Sequence, residues 1–160
     1  MARPLISTPS DDAIAALALL DRTIDLQRGE FALMLAHCND SAIEAQMTQL
    51  LLARGCDRLA ITLPEETQTL YRSIHQLLGP RTPSALLIHG LDQVEHLDDL
   101  LVATNRVFNA FSRAFPFPLV LWVNDHVLRQ IVTLAPDLKS RAPICIRFTA
   151  QPAAVAFSRP

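Results

Sequence analysis

Six consecutive residues, His37-Cys38-Asn39-Asp40-Ser41-Ala42, concentrate an imidazole, a thiol, an amide, a carboxylate and a hydroxyl in one short stretch. They follow an apolar run, Glu30–Ala36, and precede a segment of helical spacing, Ser41–Arg54. A strand-to-helix turn of this kind is where a phosphate-binding loop would lie. Such a loop needs glycines, so that backbone N–H groups can wrap the phosphates, and a lysine to neutralise them. The positions Cys38, Asn39, Asp40, Ser41 and Ala42 supply neither, and the next basic residue downstream is Arg54. Ser41 could receive an anion at a helix N-terminus, but the neighbouring Asp40 repels one. The expectation is a nucleotide-binding architecture without its phosphate chemistry, and no cofactor.

The other polar groups gather at the ends of further apolar runs. ALLIHGLD has the shape of a magnesium-binding strand end, yet its tip is His89 rather than a carboxylate, and Asp92 lies three residues on. Pro64-Glu65, Glu95 and Asn124-Asp125 occupy equivalent places. Two constellations follow. His37, Cys38 and His89 offer three zinc-type donors, though without metal-ligand spacing. Cys38 with His89 and either Asp92 or Asp125 offers a thiol, a base and an orienting carboxylate. The plain alternatives are a free cysteine at a turn and a histidine that packs or caps.

The elements that must position these groups are read from periodicity. Residues 1–9 form an arm, residues 10–149 a domain, and residues 150–160 a tail or linker. Ser10 caps a first helix with the stripe Ile14, Leu17, Ala18, Leu20, Ile24 and Leu26, ended by Gly29. Ile43, Met47, Leu50 and Leu51 form the inner face of the helix after the chemical turn. Arg58–Leu63 is a strand, Pro64–Leu78 a helix, and Ser84–His89 a strand. His96–Phe115 is a long helix whose Phe108, Phe111 and Phe115 fit a core face better than an aromatic docking groove. Leu119–Val123 reads as the central strand, His126–Leu134 as a helix broken at Ala135-Pro136-Asp137, and Pro143–Phe148 as the fifth strand. Strands apolar on both faces that alternate with helices predict an α/β three-layer sandwich with a mostly parallel, five-stranded sheet of nucleotide-hydrolase-like topology.

The chain has 160 residues, half of them hydrophobic, and a net charge of −2. That balance gives no general attraction to nucleic acid or to an anionic membrane. No apolar run approaches the ~20 residues of a membrane span. Three cysteines without a C-x-x-C pair suit a reducing compartment, here the cytoplasm, with Cys56 and Cys145 expected as buried thiols.

ALLIHGLDQVEHLDDLL (Ala85–Leu101), NRVFNAFSRAFPFPLVLWV (Asn105–Val123) and LAPDLKSR (Leu134–Arg141) occur in that order. With them the core from Gly29 to Thr149 resembles the degenerate, P-loop-lacking STAND-type domains of bacterial proteins, often followed by tetratricopeptide repeats. The resemblance implies an inactive relative of signalling ATPases, a scaffolding or sensing module in a signalling, regulatory or defence system, and it carries over no catalytic residue. A protein partner or a second copy would be its target, with helical repeats in a longer chain. A weak nucleotide-responsive switch at Asp40–Ala42 and a small hydrolase centred on Cys38 are the alternatives.

Overall fold

A computed structural model describes residues 8–150; residues 1–7 of the arm and the tail from 151 onward lie outside the described residues. Twelve elements follow in order. Helix α1 (Asp11–Leu26) precedes β1 (Ala32–Cys38), α2 (Ser41–Arg54), β2 (Arg58–Thr62), α3 (Leu70–Leu78) and β3 (Ala85–His89). A 3-10 turn (Leu91–Gln93) then leads to α4 (Leu97–Ala114), β4 (Pro118–Val123), α5 (Asp125–Leu134), α6 (Pro136–Ser140) and β5 (Ile144–Phe148).

The sheet is five-stranded, in the order β2-β3-β4-β1-β5, with β4 at its centre as its unbroken apolar sequence predicts. Every pairing is parallel. Strand alternation splits the core in two. Leu33, Leu35, Leu86, Ile88, Leu119 and Leu121 face α3 to α6. Met34, Ala36, Leu87, Val120, Trp122 and Ile146 face α1 and α2. Crossover direction explains the split. The connection from β1 runs past β4 and β3 to reach β2, whereas the later connections run back the other way. Right-handed crossovers must therefore put α2 on one face and α3 to α6 on the other.

Phe108, Phe111 and Phe115 lie inside the first of these layers, on the side of α3 to α6. Phe31 meets Phe108 edge-on at 5.7 Å and Tyr71 meets Phe111 at 5.4 Å. They form a core face, as their spacing indicates.

Several boundaries differ from the sequence reading, each for a physical reason. β1 continues through His37 and Cys38, because His37 keeps ladder partners in both β4 and β5 and Cys38 keeps one in β5. The helix expected from Pro64 starts at Leu70. The preceding backbone is committed elsewhere: Glu95 N–H donates to Glu65 O at 2.8 Å, and the Thr67 hydroxyl donates to Pro64 O at 2.6 Å. Pro136 begins a short helix rather than only ending one. Gln27 caps α1, while Gly29, at φ 83°, makes the turn into β1. On the outer surface Ile14, Ala18, Leu26 and Leu50 are exposed, although helical spacing assigned them to the core. Cys56 and Cys145 are exposed too, and Cys38 is the buried thiol. Among the described residues no helix is long and apolar enough to cross a membrane.

Candidate functional site

In an open parallel sheet, ligands bind at the carboxyl ends of strands, at the point where neighbouring connections leave toward opposite faces. Here that point lies between β1 and β4: the chain leaves β1 for α2 on one face and leaves β4 for α5 on the other. The turn singled out in the sequence therefore stands at the topological switch point, beside Asn124-Asp125.

The crevice is stitched together by the chain's own side chains. Asn39 Oδ1 accepts from the Asp125 backbone N–H at 2.8 Å. His37 Nε2 pairs with Asp125 Oδ1 at 2.6 Å. Hydrogen bonding of the Asp125 carboxylate itself, to the Asn39 side chain first and to His37 next, holds that carboxyl below its ordinary value, although its side chain is half exposed. Asn124 Oδ1 caps α5 by accepting from Val127 N–H at 2.9 Å.

At the neighbouring helix the same holds. Asp40, in extended conformation, places Oδ1 2.9 Å from Ala42 N and 3.2 Å from Ile43 N. Those first-turn N–H groups are the ones an incoming phosphate would need. A carboxylate of the chain already holds them, so the repulsive residue of the sequence reading is also the internal substitute for the anion.

Alternation decides the fate of the proposed constellations. His37 points toward α5, whereas Cys38 points toward α1 and α2. His89 lies on the Cys38 side, but β4 stands between their strands. His89 Nδ1 pairs with Glu44 Oε2 at 2.6 Å, its Nε2 lies 3.2 Å from Thr48 Oγ1, and its ring stacks on Trp122 at 5.9 Å and 16°. The zinc set thus divides between two faces, and no group of three metal-ligating side chains occurs among the described residues.

The thiol constellation is likewise dispersed. Cys38 Sγ donates to the Asp40 carbonyl at 3.2 Å, and burial pushes its pKa up, toward the unreactive thiol. Asp92 lies in the 3-10 turn, exposed, with its carboxylate accepting from Gln93. Asp125 serves His37 on the other face.

Glu44 and Thr48 are the site residues that sequence reasoning missed. Their spacing of four on α2 puts them on one helical face, which was a usable signal, but only the sheet shows that this face meets the β3 tip. Gly90, after His89, turns at φ 93°; a Cβ there would stand 3.0 Å from the Leu63 carbonyl oxygen. That close approach lets Leu63 N–H donate to His89 O at 2.9 Å and ties the β2 and β3 tips together.

Set against protein-family models, curated proteins and solved structures, the chain finds no match.

Proposed function

We propose that this chain is a non-catalytic α/β module for protein interaction. On its sequence resemblance it descends from a STAND-type NTPase and serves as a scaffold or sensor in a bacterial signalling, regulatory or defence system. Its partner is another protein or a second copy of itself. The observation that carries the reading is the closed switch point. Asp125 is held by His37 and Asn39, and Asp40 occupies the first N–H groups of α2. A nucleotide would have to displace a carboxylate from a helix N-terminus and find no lysine in its place. The quoted segments of the resemblance fold as consecutive elements from β3 to α6, which supports reading them as one unit.

The geometry disfavours both alternatives. A nucleotide switch needs free first-turn donors, and a Cys38 hydrolase needs a base within hydrogen-bond reach of a thiolate. The test is steady-state ATP hydrolysis by the purified chain, together with its thermal midpoint with and without millimolar ATP–Mg. We expect no turnover and equal midpoints. Turnover abolished by substitution at Asp40 or Asp125 would overturn the reading.

A further inference from the structure

The solvent side of α1 carries more apolar surface than a helix at the edge of a single domain requires. Ile14 is 54% exposed, Leu19 53% and Leu26 76%, while Ala13, Leu17, Leu20 and Ile24 bury the opposite side. At 3.6 residues per turn, Asp11, Ala15, Ala18, Arg22 and Leu26 fall on one line along the helix, with Ile14 and Leu19 flanking it. Leu50 of α2, 45% exposed, widens the strip. It lies one turn before Arg54, whose guanidinium reaches Asp21 of α1 at 3.6 Å. Scattered exposed leucines need no explanation, but a continuous strip on one helix marks an interface.

The charges on this strip say what covers it. α1 opens with Asp11 and Asp12 and carries no acid-neutralising base in its first turn. Arg22 lies toward its other end and Arg28 just beyond it, and neither forms an ion pair among the described residues. The remaining acids of the helix are already neutralised within the chain: Asp21 contacts Arg58 at 2.8 Å, and Asp25 contacts Arg58 at 3.1 Å. The free charges are therefore negative at one end and positive at the other, which matches the same helix turned end for end.

We propose that α1 is a homodimer interface, packing antiparallel on α1 of a second copy about a twofold axis near Ala18 and Leu19. This rests on the interaction-module reading and names the partner as the chain itself. Ala15 and Ala18 allow the backbones to approach to the short end of the 8–10 Å range of packed helices. Leu19 of each copy lies over Ala18 of the other. Arg22 lies opposite Ala15, one turn from the other copy's Asp11. Helix dipoles run opposed, and the isologous contact closes on itself without leaving a free surface to polymerise. A 16-residue helix is about 24 Å long. Such a contact stands at the small end of specific interfaces, which points to dissociation on the order of micromolar.

The experiment is sedimentation velocity of the full chain from about 1 to about 200 μM, spanning that range. The wild type is expected to pass from monomer to dimer. Leu19→Asp, at a site 53% exposed, should weaken dimerisation at least ~10-fold with an unchanged circular dichroism spectrum. Arg22→Glu should weaken it as well, and adding Asp11→Arg and Asp12→Arg to that variant should restore it. A monomer throughout, or a dimer whose dissociation Leu19→Asp leaves unchanged, overturns the pairing. The hydrolysis assay reads the absence of catalysis separately, so failure of the pairing and failure of the interaction-module reading are distinguishable.

Discussion

Replacing Gly55 with alanine would strike a buried arginine that no surface inspection reveals. Gly55 ends α2 at φ −133°, a conformation any residue adopts, so its need for glycine is steric rather than conformational. A Cβ at Gly55 would stand 2.2 Å from Arg58 Nε and 2.6 Å from Cζ. The far end of an arginine ordinarily swings aside. This one cannot do so freely, because its side chain is only 1% exposed, Nη1 donates to Leu51 O at 2.7 Å, and the guanidinium contacts Asp21 and Asp25. Displacement strips the α2 end of a charged donor and leaves the Leu51 carbonyl to find another. The two carboxylates are partly hydrated and recover some of their loss. The cost is about 2 to 3 kcal/mol, or roughly 5 to 10 °C in thermal midpoint for a domain of this size. Arg58→Ala removes the same contacts and leaves a void, so it should cost about 3 kcal/mol or more. The decisive measurement is the double-mutant cycle by urea unfolding. With Arg58 already alanine, the Gly55→Ala clash has no target, so the added cost should fall below about 0.5 kcal/mol, or turn slightly favourable as the unfolded chain stiffens. An equal Gly55→Ala penalty in both backgrounds would refute the steric reasoning.

Three further outcomes follow from the strand tips and the cysteines. Asp40→Ala removes the acceptor of two first-turn N–H groups and should lower stability by about 1 kcal/mol, read as a shift in urea midpoint; no change would mean that water caps α2 equally well. The Asp125 carboxyl is lowered in the folded state, so its stabilisation is fully present above the unfolded carboxylate range and is lost as pH falls through the lowered folded value. The stability gap between wild type and Asp125→Asn should therefore close on acidification, and a gap that widens instead would reverse the sign assigned to the His37 and Asn39 bonds. In timed alkylation followed by mass spectrometry, exposed Cys56 should react first. Exposed Cys145 should follow more slowly, because partial desolvation raises its thiol pKa, and Cys38 only on unfolding. Early modification of Cys38 would contradict its burial.

Much of the architecture was legible because parallel sheets write themselves into sequence. Strands covered on both faces become unbroken apolar runs such as Leu119–Val123, and that run is indeed the central strand. The three phenylalanines of α4 announced a core face by spacing alone. The candidate site was legible as a place but not as a set of bonds. Cys38 and His37 are neighbours in sequence, so they looked like one cluster. β1 runs two residues further than its apolar composition suggested, and in a strand adjacent residues face opposite ways. Cys56 and Cys145 were misjudged because proximity to a strand says nothing of whether that strand lies at an edge. β5 does, and its outer residues face water.

The sequence by itself determined the alternation of elements, the parallel sheet and the missing glycines and lysine of a phosphate loop. All of these follow from local periodicity and residue chemistry, which need no partner across the fold. Tertiary structure alone decided that β1 and β4 meet at the switch point, and that Asn39 and His37 reach Asp125 from 86 and 88 residues away. It also decided that Glu44 finds His89 and that Arg58 is caged against Gly55. Those pairings depend on strand order and crossover direction. Both are set by how whole layers bury their apolar faces together, and no short stretch of the chain encodes them.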